Sequence, residues 1–163
     1  MTFRLILIRH AKSSWDDATL DDHARPLNAR GRRAAPKIGE WLANQGHRPE
    51  EVLVSSAVRA QETLSLLGFH APARVVEALY HAEPTTILKT LHTAGLGSVA
   101  LIGHNPGLAD FAAMLLANPP QDKDFRRFPT CATLVADLPI ESWRDLRPGI
   151  GRLVDFTVPR RLD

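Results

Sequence analysis

The run Leu5-Ile6-Leu7-Ile8, which stops abruptly at Arg9-His10, constrains this chain more than any other feature. Four consecutive aliphatic residues, half of them β-branched, leave no polar face, so the segment reads as a strand buried on both sides. A strand of that kind belongs in the middle of a sheet covered by helices on both faces. In such sheets ligands bind beyond the carboxyl ends of the strands, where Arg9 and His10 stand. An arginine fixes an anion, and a neutral imidazole beside it is a nucleophile.

The rest of the chain repeats the pattern. Strands are predicted at 3–8, 52–55, 74–76, 99–102, 133–136 and 152–157. Between them, 31–44 carries apolar residues at Ala34, Ala35, Ile38, Trp41 and Leu42, a helical stripe with Gly46 as its stop. Helices are also predicted at 57–67, at 84–91 with Pro84 in the first turn, and at 106–116, with Asn105 as N-cap and Pro106 at N1. Alternation of strand and helix implies βαβ units and a largely parallel sheet. The last two strands, set off by Pro139 and Pro148-Gly149, are expected to add antiparallel edge strands. The connection 13–28 is long and holds four aspartates, Asp16, Asp17, Asp21 and Asp22, which suggests a functional lid.

Three strand ends carry polar residues suited to phosphate. The first is Arg9-His10. The second runs Ser55-Ser56-Ala57-Val58-Arg59-Ala60, with Arg59 in the first turn of a helix. The third is Gly103-His104-Asn105-Pro106-Gly107, where a helix N-terminus favours an anion. Parallel strands bring all three to one sheet edge. His10 would attack phosphorus while Arg9, Arg59 and His104 hold the oxygens.

Composition closes off other classes. A chain of 163 residues fits one domain, 1–163, with a substantial core. Its net charge of +2 does not suit a general nucleic-acid binder. No stretch approaches the roughly 18 apolar residues of a membrane span, and no signal peptide is read at the N-terminus. The single cysteine, Cys131, read as a buried hydrophobe, is compatible with a reducing, cytoplasmic compartment. His23, His47, His70, His81 and His92 show no metal spacing and read as surface or core residues; Arg126-Arg127 and Arg160-Arg161 read as exposed basic pairs.

Arg9-His10, Ser55-Ser56 with Arg59-Ala60 and Thr63, and Gly103-His104-Asn105 resemble the motifs of the histidine phosphatase superfamily, over residues 3 to 137. The opening Arg9-His10-Ala11-Lys12-Ser13-Ser14-Trp15 and the element Asp22-x-x-Arg25-Pro26-Leu27-x-x-x-Gly31 resemble its SixA-like phosphohistidine phosphatase branch. The resemblance implies an α/β/α sandwich of the phosphoglycerate mutase-like kind. It also implies a phospho-His10 enzyme, a phosphate pocket of Arg9, Arg59 and His104, and neither metal nor cofactor. Glu77 matches the family's proton donor, with the lid aspartates as rivals. Ala11 stands where the family more often has glycine.

Arg25, Ser13, Ser14 and Ser55 are candidate substrate contacts, and equally turn, cap or bracing residues. Trp15 either stacks on a ligand or packs under the lid. The expected substrate is phosphohistidine on a partner protein. The alternatives are a small phosphate ester, such as a sugar phosphate or nucleotide, or a phosphate-binding adaptor without turnover. No nucleic-acid or membrane partner is expected, and oligomeric state is left open. Protonation of His10 should cost activity in acid, with a limb expected between pH 5 and 8.

Overall fold

The structure, a computed structural model, describes residues 2–163. Six strands form one sheet: β1 (Phe3–Arg9), β2 (Glu51–Ser55), β3 (Ala73–Val76), β4 (Ser98–Gly103), β5 (Thr133–Leu138) and β6 (Arg152–Thr157), in the order β3-β2-β4-β1-β5-β6. The first four are parallel, and β5 and β6 are antiparallel to their neighbours. The predicted strands agree to within two residues at each end. One expectation needs correcting: β5 is no edge strand but lies buried between β1 and β6.

Side-chain alternation on the central strands divides the core in two. Leu5, Leu7, Leu53, Val99 and Leu101 face α3 (Pro84–Leu91) and α4 (Gly107–Leu115), which supply Ile87, Leu91, Leu108 and Phe111. Ile6, Ile8, Val52, Val54, Ala100 and Ile102 face α1 (Ala29–Asn44) and α2 (Val58–Leu67), which supply Ala35, Ile38, Leu42 and Ala60. Leu5 to Ile8 are wholly buried, each contributing about 1.5–3 kcal/mol of transfer free energy. The three layers follow from runs that are apolar on both faces.

Local signals set the helix ends. Asn28 caps α1 through its side chain, accepting from the Gly31 N–H at 2.9 Å, and Gly46 follows the helix with φ of 78°. α4 begins at Gly107, one residue later than predicted, with Pro106 in the cap position. Asn105 still satisfies a first-turn donor, because its Oδ1 accepts from the Ala109 N–H at 3.2 Å. Its Nδ2 donates to the carbonyls of Arg127 and Phe128, joining α4 to the short α5 (Lys123–Arg127), which the sequence reading left out. No helix among the described residues is long and apolar enough to cross a membrane.

Candidate active site

β1, β2 and β4 end level with one another. Arg9 pairs with Gly103, and Val54 with Ile102, so His10, Ser55 and His104 leave the sheet side by side. The His10 backbone is fixed on both flanks: its N–H donates to the Gly103 carbonyl at 3.1 Å, and its carbonyl accepts from the Cys131 N–H at 3.0 Å. The next N–H, of Ala11, donates to Thr63 Oγ1 at 2.9 Å, and that hydroxyl donates to the Arg59 carbonyl at 2.7 Å. Thr63 thus ties the His10 loop to the turn that carries Arg59. Ala11 lies outside the left-handed region and is fully buried, so alanine satisfies a position where the family prefers glycine. Gly31 has the opposite constraint: a Cβ there would meet the Lys12 carbonyl oxygen at 2.2 Å, so the motif glycine lets α1 press against the His10 loop.

The His10 ring has one possible tautomer when neutral. Nδ1 lies 2.7 Å from the Ala11 carbonyl oxygen, which only accepts, so Nδ1 carries the proton and Nε2 keeps its lone pair. Burial first, then the charges of Arg59, Arg9 and Arg25, lower the imidazole pKa to about 3. The direction agrees with the sequence argument, but desolvation outweighs the arginines. The expected acid limb therefore moves below pH 5. His104, with its ring centroid 5.0 Å from that of His10, is likewise lowered to about 3 by burial and then by the neighbouring positive groups. Its Nε2 lies 2.7 Å from Ser55 Oγ, and that oxygen accepts from the Ala57 N–H at 3.2 Å. With Ser55 donating to Nε2, the neutral ring presents an N–H at Nδ1.

Among the described residues, three buried side-chain nitrogens have no hydrogen-bond partner: Arg9 Nε, Arg59 Nε and His104 Nδ1. All three belong to this edge of the sheet. Buried polar nitrogens are nearly always paired, so three orphans at one sheet edge leave hydrogen-bonding capacity that an anion could fill. The N-termini of α2 and α4 face the same edge and add their partial positive charge.

The lid supplies what the sequence reading undervalued. Its base is closed by the Ser13–Leu27 bridge and by Ser14 N–H donating to the Pro26 carbonyl at 2.8 Å. Asp22, read as a solvated charge or a rival proton donor, lies at the centre of the site. Its Oδ2 accepts from Arg59 Nη2 at 3.0 Å and from the Tyr80 hydroxyl at 2.6 Å, and its Oδ1 accepts from Arg25 Nε at 3.1 Å. Burial opposes its charge, but the bonds from Tyr80 and Arg59 hold the carboxyl well below the usual range. A carboxyl so firmly ionised is a poor acid. Arg59 Nη1 also donates to the Asp22 carbonyl at 2.6 Å.

The remaining candidates divide. Arg25 is buried and donates to Ser13 Oγ at 2.8 Å and to the Ser14 carbonyl at 3.0 Å, so Arg25 and Ser13 brace the lid. Ser14 Oγ accepts from the Asp16 N–H at 3.1 Å, a turn role. Ser55 belongs to the cluster as the partner of His104. Glu77 begins a 3-10 turn at the end of the edge strand β3, is exposed, and makes no side-chain hydrogen bond or ion pair among the described residues. Trp15 does not pack beneath the lid; it is 71% exposed, with the Arg25 guanidinium 3.5 Å from its ring centroid. Tyr80 and His81 were missed, as was the bracing of the lid by His23, whose Nε2 is 2.9 Å from Ser56 Oγ. The Tyr80 ring stands edge-on to His104 with centroids 5.5 Å apart.

Two arginines, two histidines and a helix N-terminus thus meet at one edge of the parallel sheet. The sequence profile of the histidine phosphatase superfamily (branch 1) matches residues 5–81. Phosphohistidine phosphatase SixA of Escherichia coli (strain K12) is 30% identical over 112 residues, which span 63% of this chain and 68% of that protein. An uncharacterized protein of Mycobacterium tuberculosis (strain ATCC 25618 / H37Rv) is 36% identical over 160 residues, 94% of this chain and all of that one. The solved structure of a putative phosphohistidine phosphatase SixA from Nakamurella multipartitia superposes with a TM-score of 0.85 at 27% identity, over 98% of this chain and 97% of that one. The chain belongs to the histidine phosphatase superfamily, and is an enzyme of the phosphatase class.

Proposed function

We propose that the protein, acting as one domain over residues 1–163, removes phosphate from phosphohistidine on a partner protein through a phospho-His10 intermediate. The observation that carries this reading is the set of orphaned donors, Arg9 Nε, Arg59 Nε and His104 Nδ1, beside an imidazole with a free Nε2. In the first step His10 Nε2 attacks phosphorus in line, the N–P bond forms and the bond to the leaving group breaks. Arg9, Arg59 and His104 donate to the equatorial oxygens, where charge spreads in the transition state. The Nδ1–H bond to the Ala11 carbonyl stabilises the positive ring that results. Water then attacks phosphorus from the opposite side, giving inorganic phosphate and regenerating neutral His10.

The acid supply supports the choice of substrate. Asp22 is held ionised, so the carboxyl group bonded into the cluster is a poor acid for a leaving group. Phosphohistidine needs little such help, because a protonated imidazole leaves as a neutral molecule. The exposed Trp15 at the lid, stacked on Arg25, offers a partner protein an aromatic contact beside the site.

The test is phosphate release from a phosphohistidine protein and from a generic aryl phosphate, in chelator, by wild type and His10→Ala. Turnover by wild type alone supports the reading, and the ratio between substrates ranks protein against small-molecule targets. Turnover undiminished in the variant would reject His10 as nucleophile. Oxyanion binding without turnover of either substrate would point to the adaptor.

A further inference from the structure

His81 occupies a position that neither the family motifs nor the sequence reading assigned to the chemistry. It follows Tyr80 in the segment after β3. Its ring lies 4.0 Å from Tyr80 and 5.9 Å from His104, centroid to centroid, and its Nε2 lies 3.4 Å from Asp22 Oδ2. That carboxylate oxygen is the one bonded to Arg59. The imidazole is 58% exposed, so it stands at the mouth, in contact with both solvent and the cluster.

Two backbone features hold it there. His81 has φ of 55°, a left-handed conformation uncommon for a residue other than glycine, and one met repeatedly at functional sites. The next carbonyl, of Ala82, approaches α4 so closely that a Cβ on Gly107 would lie 1.9 Å from it. The turn that carries His81 is thus pressed against the helix that begins just after His104.

We propose that His81 is the proton donor and acceptor of the reaction, which lets the enzyme hydrolyse phosphate esters as well as phosphohistidine. The inference rests on the phosphatase reading above. Protonated His81 gives its proton to the ester oxygen as the P–O bond breaks and the His10 N–P bond forms, so the alcohol leaves neutral. The neutral ring then takes a proton from the attacking water as the N–P bond breaks, which restores the starting state. Asp22 steadies the charged form of His81; the groups facing it are Tyr80 from its own segment, Asp22 from the lid, His104 from the end of β4 and Arg59 behind Asp22. An imidazole can both give and take a proton, whereas the Asp22 carboxyl stays ionised.

The test is a leaving-group series: phosphate monoesters from 4-nitrophenyl phosphate to a simple alkyl phosphate, with a phosphoramidate as the acid-independent member. His81→Asn is the first variant, since asparagine tolerates the left-handed backbone, and His81→Gln is the second. Tungstate-induced stabilisation equal to wild type shows that the phosphate cradle is intact. The expected result is a loss that grows with leaving-group basicity, on the order of 10²-fold or more for the alkyl ester and under about tenfold for 4-nitrophenyl phosphate and the phosphoramidate. The variant should also lose the basic limb of the wild-type pH profile on the alkyl ester. A uniform loss across the series, or none, would overturn the assignment, as would the same graded loss in Glu77→Gln with His81→Asn unaffected. Wild type inert on every member would defeat the phosphatase reading itself, and the inference with it.

Discussion

The two ends of the parallel strands each enclose a histidine among arginines and aspartates, and they differ in how the donors are matched. At the N-terminal end Arg4 Nε donates to Asp137 Oδ1 at 2.8 Å, and His47, buried, lies between Arg4 Nη1 at 3.2 Å and Asp155 Oδ2 at 3.1 Å. Arg152 completes the group with a 2.9 Å bond to Asp137. At the C-terminal end Arg9, Arg59 and His104 each keep a buried nitrogen without a partner among the described residues, and Asp22 pairs with Arg59. A saturated polar network fastens strands to loops. An unsaturated one has its stability lowered by crowded cations and is completed by an anion. The comparison teaches that function here is legible as hydrogen-bonding capacity left over, more than as the presence of histidine or arginine.

The contrast breaks most sharply at His10. His10→Ala should lower phosphate release by at least about 10⁴-fold while the fold persists, because no other group in the cluster replaces the nucleophile. Removing one clamp is next: Arg59→Ala or His104→Ala should cost about 10²–10³ in kcat, measured on the same substrate. At the other end Asp137→Ala should leave kcat unchanged and lower stability by about 2 kcal/mol, read by denaturant unfolding, since it strands the half-buried Arg4. Were Asp137→Ala to impair turnover as Arg59→Ala does, the distinction between the two ends would fail.

Smaller effects sharpen the same point. His10 and His104 are held near a pKa of about 3, against about 6.5 in an unfolded chain, so the unfolded state binds more protons between those values. Stability contributed by these neutral rings is complete above about pH 6.5 and is lost as pH falls toward 3. His104→Asn should therefore show a shallower fall of Tm with acid than wild type over that window. The acid limb of kcat/KM belonging to His10 should lie below pH 5; a limb near 6 that follows the substrate reports the phosphate's own second ionisation. Tungstate, by filling the unsaturated end, should raise the wild-type Tm and raise that of His104→Ala less.

Much of this was readable in the residues. Strands buried on both faces announce themselves by uniform apolarity, so β1, β2 and β4 and the residues that end them were placed correctly. Parallel topology then brought Arg9, His10, Arg59 and His104 together without any knowledge of loops. Asp22, Tyr80 and His81 were not readable, because their meeting depends on how the 13–28 lid folds back and on the turn after β3. Neither path leaves a periodic signature. Glu77, matched by order along the chain, begins the turn at the end of an edge strand and is exposed. Gly31 was noticed only as part of a motif, while its close approach to Lys12 gives the physical reason.

The most direct measurement is to trap the enzyme during the first turnover of a phosphohistidine protein, by rapid quench in alkali, and to locate the phosphate by peptide mapping. The account predicts up to one acid-labile, alkali-stable phosphate per chain, on the peptide that contains His10 and absent from His10→Ala. Phosphate on another residue, or full turnover with no phosphoenzyme formed, would contradict it.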